Sequence, residues 1–344
     1  MGSIAVAVAL IASATLARAE AESKSKSKPV ELRIATLAPE GSAWAKILAE
    51  AARDIESQTD GRVTTKLYTG ASQGDERDVV RKMKLEQLDG GQLTAVGLSL
   101  IYPGIRVLEL PFLFESVDEV DYVRDKMWPY FHEKFAGKGY VLAARGDVGW
   151  TYMYSNRAVK SRADVNKLKM WAWQDDPIVR ALFRRIELNG VPLGVPEVLD
   201  ALESGRIDAC YGPPLAAVAL QWYTKVTHAT SLPVAYSMGA VVVRADAIAG
   251  LSKEDAAAFE KIGEAMGEKL VKRIRRDNKR ALKAMVKSGI TIDATPATLA
   301  AELESEAEGV RTDLVGKTYT QEELDAVIEY RDEYRAGRKK TRTK

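Results

Sequence analysis

A long helical pattern in the last third of the chain constrains the fold most. It begins at Ser252, which with Asp255 resembles an N-terminal capping box, and it continues to Met285. The apolar positions at helical spacing are Phe259, Ile262, Met266, Leu270 and Ile274. At about 1.5 Å per residue this helix would be roughly 50 Å long, whereas a small domain is about 30 Å across. We therefore expect it to bridge two lobes, with a kink at Gly263 or Gly267 as the alternative.

Strand-like and helix-like segments alternate in the preceding part of the chain. The β-rich segments 31–36 and 63–68 flank a helical pattern at 42–55, and a strand near 169–173 precedes a helix at 177–187. Further strand patterns cover 93–98, 140–144, 151–155, 207–211 and 241–244. Such alternation predicts βαβ units and a largely parallel sheet, and hence the α/β fold class. The 344 residues are enough for two such domains.

The two chain ends differ from the rest in composition. Residues 4–16 form an apolar run that is shorter than the roughly 20 residues needed to span a bilayer. With Ala17-Arg18-Ala19 after it, this run is typical of a secretory signal peptide, although a buried helix segment is the alternative. We therefore expect residues 1–19 to be a signal peptide, 20–30 a disordered leader and 336–344 a disordered basic tail. The mature protein is then expected in the periplasm, without membrane insertion after signal cleavage.

The inventory of reactive side chains argues against an enzyme. The chain has only two histidines, His132 and His228, and neither lies in a cluster with ligand spacing. The single cysteine, Cys210, excludes an intramolecular disulfide and a multi-cysteine metal site. A secreted α/β enzyme, the competing reading, would need a nucleophile and a base in one cleft. We therefore expect no metal, no cofactor and no catalytic residue.

Charge gives a weaker constraint on partners. Fifty Lys and Arg residues against 48 Asp and Glu leave a formal net charge of +2. A nucleic-acid-binding protein usually shows a pronounced basic face, so no nucleic-acid partner is expected. Asp175 and Asp176 stand directly before Pro177, where a turn and a helix cap are better interpretations than a metal or acid–base pair.

Aromatic residues concentrate at predicted strand ends in the middle third of the chain. Trp171 and Trp173 are two residues apart, so in a strand both indoles project from one face. Loops that follow strands are where α/β proteins place their ligand sites, although any one of these aromatics could equally belong to the core. The candidate ligand-binding residues are Trp44, Trp150, Tyr152, Trp171, Trp173, Tyr211, Gly212, Pro213 and Tyr236.

Several segments together resemble a known family. LELPFLFESVDE, SNRAVKSRADVNKLKMW and LDALESGRIDACYGPP are similar, in order and spacing, to segments of the DctP-like substrate-binding proteins of TRAP (tripartite ATP-independent periplasmic) transporters. The resemblance covers about residues 31–330. It implies two α/β lobes around a ligand cleft, and a receptor that delivers a small molecule to the membrane permease subunits. The expected lobes are 31–152 with about 240–270, and 153–239 with about 271–335.

The chain departs from the family where the family holds its ligand. The resemblance implies an arginine that pairs with the ligand carboxylate, and Trp171 takes its place here. The expected asparagine falls on Gly212, and Tyr211 replaces the acidic residue before it. We therefore expect a largely apolar or uncharged ligand, with Arg145 or Arg180 as carboxylate-binding alternatives. This departure resembles the family branch that has an additional helical-repeat periplasmic component as a partner.

Overall fold

The fold is described by a computed structural model that covers residues 29–342. The predicted signal peptide lies outside the described residues, as does most of the predicted leader. The leader ends earlier than expected, because Val30 already pairs with Val63 in the first strand.

The N-terminal part of the chain follows the predicted alternation. Its elements are β1 (Val30–Thr36), α1 (Ala43–Gln58), β2 (Val63–Tyr68), α2 (Glu76–Lys84) and β3 (Gly90–Thr94). Strand β1 pairs in parallel with both β2 and β3 and lies between them. Helix α1 therefore connects adjacent parallel strands, whereas the connection through α2 passes over β1.

A short helix replaces the strand that was expected over residues 93–98. Strand β3 stops at Thr94, whose side chain accepts from Val96 N and caps α3 (Ala95–Ser99). A 3₁₀ helix (Pro103–Glu109) and α4 (Val117–Ala136) follow. The expectation was wrong because a capping threonine inside the apolar run ends the strand. We call residues 30–109 the N-terminal block.

Two long strands form the centre of the sheet. Strand β4 (Tyr140–Ser155) is continuous where two separate strands were expected, and it pairs antiparallel with β9 (Ala235–Arg244). Strand β9 also pairs antiparallel with β3. The expected largely parallel sheet is therefore wrong at the centre. The reason is that β9 comes from late in the chain and enters between β3 and β4.

The middle block, residues 162–230, packs around the second half of β4. Its elements are α5 (Arg162–Asn166), β5 (Trp171–Trp173), α6 (Pro177–Arg185), β6 (Val191–Leu193), α7 (Val198–Glu203), β7 (Ala209–Gly212), α8 (Pro214–Ala219), a 3₁₀ helix (Trp222–Lys225) and β8 (His228–Thr230). Strands β7 and β8 pair antiparallel with β4, and β5 and β6 form a separate parallel pair. With β10 (Thr291–Asp293), the eight-stranded sheet has the order β10-β8-β4-β9-β3-β1-β2, and β7 also pairs with β4.

The long helix is confirmed. After α9 (Ala245–Ile248), α10 runs over Lys253–Lys287 and is capped by Ser252, which accepts from Asp255 N. Phe259 packs in the apolar cluster of β1 and α1, whereas Met285 packs with Trp171 and Trp222 of the middle block. The helix therefore contacts both halves of the molecule. No helix within residues 29–342 has the length and apolarity that a bilayer crossing requires.

Gly263 serves close packing rather than a kink. A Cβ at this position would lie 2.2 Å from the carbonyl oxygen of Ala143 in β4. Helix α10 stays continuous through this point, so the glycine lets its backbone approach the strand.

The C-terminal region contains one short strand and two helices, and the last helix ends at Arg342. Strand β10 (Thr291–Asp293) joins the sheet beside β8, and α11 (Ala297–Asp313) and α12 (Gln321–Arg342) follow. The predicted disorder of residues 336–344 is therefore wrong up to Arg342. Glu322 and Glu323 lie in the first turn of α12 and the basic residues near its end, an arrangement that favours a helix through its macrodipole.

Candidate ligand-binding site

A cavity of about 200 Å³ lies between the N-terminal block and the middle block. The N-terminal block contributes Leu37, Gln92 and the 3₁₀-helix residue Arg106 to its wall. The middle block contributes Trp173 from β5 and Pro213 from the β7–α8 junction. Leu37, Trp173 and Pro213 lie at strand ends or directly after them, which is where the sequence predicted a site.

Six of the nine predicted residues line this cavity. They are Trp44, Trp171, Trp173, Tyr211, Gly212 and Pro213. Trp150, Tyr152 and Tyr236 are not part of the lining. Their strand neighbours Thr151 and Ser237 line it instead, and successive residues of a strand point to opposite faces.

Trp171 is part of the cavity wall and also part of the core. Its side chain is only 2% exposed, and its ring stacks on Tyr211 with a centroid distance of 4.7 Å. The Nε1–H donates to the carbonyl oxygen of Leu193 at 3.0 Å. Because an indole has a single N–H donor, the ring can offer a ligand only apolar surface.

Trp173 connects the two sides of the cavity. Its ring lies 5.9 Å from that of Trp171, on the same face, as the spacing predicted. Its Nε1–H donates to Asp75 Oδ2 at 3.0 Å, and Val195 N donates to the same oxygen at 3.2 Å. Asp75 is also the N-cap of α2, so a middle-block indole is bonded to an N-terminal-block helix. Burial raises the pKa of Asp75, although these hydrogen bonds oppose the shift.

Arg106 is the functional candidate that sequence reasoning missed. It is 3% exposed, and its Nη2 donates to both carboxylate oxygens of Asp176 at 2.9 Å. Its Nη1 donates to Glu109. Asp176 also caps α6 by accepting from Ile178 N at 2.9 Å. In the sequence Arg106 lies in an apolar segment, three residues before Glu109. This spacing alone does not indicate a ligand-binding site.

Burial raises the pKa of two carboxyl groups in the cavity lining, Glu109 and Glu76. Burial raises the pKa of Glu109 to about 7, against the attraction of Arg106 and with added repulsion from Asp176. Burial likewise raises the pKa of Glu76 to about 8, although Thr94 N and Thr94 Oγ1 both donate to it at 2.7 Å. Within the described residues, the cavity lining has one cation, Arg106, and it already pairs with the carboxyl groups of Glu109 and Asp176.

Neither of the two arginines proposed from sequence reaches this wall. Arg145 pairs with Asp125 and lines a separate, charged surface hollow. Arg180 is on the exposed side of α6. Among residues 29–342, Arg106 is the only arginine or lysine in the cavity lining.

The reactive residues of the chain also lie elsewhere. His132 packs edge-on against Trp128, and His228 pairs with Asp293 at 2.8 Å. Cys210 is fully buried, and burial raises the pKa of its thiol. None of these three residues lines the cavity. Within the described part of the chain, no group of three or more His, Cys, Asp or Glu side chains could hold a metal ion.

The molecule has two α/β halves that share two long strands and one long helix, and a cavity lies between the halves. This arrangement defines a two-lobed binding protein. The chain belongs to the DctP family, described as bacterial extracellular solute-binding protein, family 7, whose sequence profile matches residues 34–311. The family that the sequence motifs resembled is thereby confirmed.

Individual relatives are more distant. The chain is 28% identical over 165 residues to a solute-binding protein of Chromohalobacter salexigens, which is 47% of this chain and 49% of that protein. The chain spans about half the length of the curated relatives it matches.

Solved structures resemble nearly the whole chain. One is the sugar acid binding protein of Advenella mimigardefordensis in complex with galactonate, with a TM-score of 0.83, 17% identity, and 89% and 99% of the two chains covered. Another is a TRAP periplasmic solute binding protein of Chromohalobacter salexigens with bound D-glucuronate, with a TM-score of 0.80, 20% identity, and 88% and 99% covered. These likenesses confirm the two-lobed α/β fold.

Proposed function

We propose that the protein is an extracytoplasmic solute receptor of a TRAP transporter. It binds a small molecule in the cavity and delivers it to the membrane permease subunits, from a location in the periplasm. Family membership and the interlobe cavity support this proposal. A helical-repeat periplasmic component is proposed as a further partner. The proposed lobes are 31–152 with about 240–270 and 153–239 with about 271–335, with the signal peptide at 1–19.

The proposed ligand is largely apolar or uncharged. The observation that carries this proposal is the pairing of Arg106. Its guanidinium already forms ion pairs with Asp176 and Glu109. A ligand carboxylate would thus enter a cavity with no uncompensated cation. Burying a carboxylate without a partner costs several kcal/mol. An apolar ligand instead gains about 25 cal/mol per Å² of apolar surface buried, and most of the wall is apolar.

A carboxylate receptor is the second candidate. The two structural neighbours described above have galactonate and D-glucuronate bound, and both ligands are carboxylates. In this chain the carboxylate of such a ligand would be a third carboxyl group around one guanidinium, beside Asp176 and Glu109. Its charge would have no cation of its own, and for this reason we favour the uncharged ligand.

Calorimetric titration distinguishes the two candidates. The unmodified protein is titrated with D-glucuronate and galactonate, and in parallel with neutral compounds that have an apolar body of about ten carbon atoms. We expect binding of neutral compounds and no measurable binding of the sugar acids. Tight binding of either sugar acid that persists in Trp171→Ala would establish the carboxylate receptor instead.

A further inference from the structure

Two buried donors in the cavity wall have no hydrogen-bond partner among residues 29–342. They are Nε2 of Gln92 and Nε of Arg106, and both residues line the cavity. Buried polar atoms without a partner are uncommon in folded proteins, and each one calls for an explanation. A ligand acceptor atom is the explanation that their position in the lining suggests.

The amide of Gln92 is held by one end. Its Oε1 accepts from Thr36 Oγ1 at 3.1 Å, and the hydroxyl of Thr36 also accepts from Ala38 N at 3.1 Å. Thr36 is buried at the end of β1, and Gln92 pairs with it in β3. The strand register thus fixes the carbonyl end of the amide and leaves the NH₂ end as the unused donor.

The guanidinium of Arg106 is held by its outer nitrogens. Nη1 donates to Glu109 and Nη2 donates to Asp176, so only Nε–H is left without a partner. The two carboxyl groups fix the plane of the guanidinium and compensate its charge. Arg106 can therefore donate a hydrogen bond to a ligand without attracting a second anion.

We infer that the ligand is a neutral molecule with an apolar body and at least one acceptor oxygen, such as a ketone, ester or ether, that Gln92 and Arg106 bind. This inference rests on the proposed function and narrows its ligand class. A hydrocarbon without an acceptor would leave both donors unpaired, and a buried unpaired donor is unfavourable. A cation would meet Arg106 and the Gln92 amide donors, and a carboxylate would meet Glu109 and Asp176.

Four probes with one carbon skeleton separate these chemistries. They are tetralin, 2-tetralone, 2-aminotetralin and 1,2,3,4-tetrahydro-2-naphthoate, which carry no acceptor, a neutral acceptor, a cation and an anion. They are larger than benzene, which a cavity of about 150 Å³ accommodates, and this cavity of about 200 Å³ is correspondingly larger. Calorimetry on the full chain should rank 2-tetralone first, roughly tenfold above tetralin, as one or two net hydrogen bonds predict.

Gln92→Met tests the donor directly. It keeps the length of the side chain and removes the amide, so binding of 2-tetralone should weaken about threefold to tenfold, whereas binding of tetralin should not weaken. Gln92→Glu is the second variant, because it keeps an acceptor for Thr36 and loses the donor. Gln58→Met, on the exposed end of α1, is the matched control and should change neither affinity.

The outcomes distinguish a failure of the acceptor inference from a failure of the proposed ligand class. Equal binding of tetralin and 2-tetralone, an unchanged preference in both Gln92 variants, or tightest binding of the amine would overturn the acceptor inference and leave an apolar-ligand receptor. Tightest binding of the carboxylate would establish the carboxylate receptor instead, and no binding of any probe would contradict the proposed apolar or uncharged ligand.

Discussion

The two sides of the cavity wall differ in chemistry. The N-terminal block contributes most of its polar groups, among them Gln92, Arg106 and Glu109. The middle block contributes most of its aromatic surface, among them Trp171 and Tyr211. One side thus offers directional hydrogen bonds and the other a rigid apolar surface. This difference indicates that polar selectivity and apolar affinity can be changed separately in this receptor.

Arg106→Met should have the largest effect on the polar side. It leaves the buried Asp176 and Glu109 without their cation, and breaking a buried ion pair costs about 3–5 kcal/mol. Urea unfolding measures the loss in free energy of unfolding. Arg180→Met, on the exposed side of α6, is the control and should stay within about 0.5 kcal/mol of the unmodified protein. A loss below about 1 kcal/mol for Arg106→Met would mean that the cluster is not a buried ion network.

The pH dependence of stability should reflect Glu109. Its pKa is 4.5 in the unfolded chain and about 7 in the folded protein, so between these values the folded state binds the additional proton. The resulting stabilisation is fully present below pH 4.5 and is lost as the pH rises through 7. At 1.36 kcal/mol per pKa unit, the loss is on the order of 3 kcal/mol. Urea unfolding at pH 5, 6.5 and 8 should show a smaller decrease for Glu109→Gln. Parallel curves for the two proteins would exclude Glu109 as the source.

Trp173→Phe should have a moderate effect at the junction of the two sides. It keeps the aromatic surface and removes the hydrogen bond to Asp75, a buried acceptor at the N-terminus of α2. A hydrogen bond to a charged group contributes about 1.5–3 kcal/mol, and we expect a loss of about 2 kcal/mol in urea unfolding. Trp128→Phe on α4, away from the cavity, is the matched control. Equal losses in the two variants would show that the Asp75 contact contributes nothing specific.

Arg145→Ala should have the smallest effect. Its partner Asp125 is exposed, and exposed ion pairs typically contribute up to about 1 kcal/mol. Ligand affinity should stay unchanged, because Arg145 lies outside the cavity. A tenfold loss of affinity in calorimetry would restore Arg145 as a ligand-binding residue.

Local sequence signals predicted the elements better than their pairing. The cap at Ser252 and the apolar spacing behind it predicted α10 nearly to its ends. Strand β9 could not be placed between β3 and β4 in the same way, because nothing in a single strand's pattern specifies its partner. The capping role of Thr94 was overlooked, although the residue type itself was a usable signal.

The residues of the candidate site were likewise predictable only where a local sequence signal or the family resemblance marked them. The aromatic positions Trp171 and Tyr211 could be predicted, because resemblance to a family aligned them with ligand-binding places. Arg106 could not, since its partner Asp176 is 70 residues away and only the fold brings them together. Trp150 and Tyr236 lie outside the lining, whereas their neighbours Thr151 and Ser237 belong to it, and the sequence alone did not specify which face of each strand meets the cavity.

We propose that this cavity receives an uncharged ligand because the charge of Arg106 is already compensated by Asp176 and Glu109. The most direct test is native mass spectrometry of the protein purified from its own periplasm, followed by extraction and identification of the bound molecule. We expect the bound molecule to be neutral and mostly apolar, with an acceptor oxygen. A bound mono- or dicarboxylate, retained through purification and absent from Arg106→Lys, would contradict it.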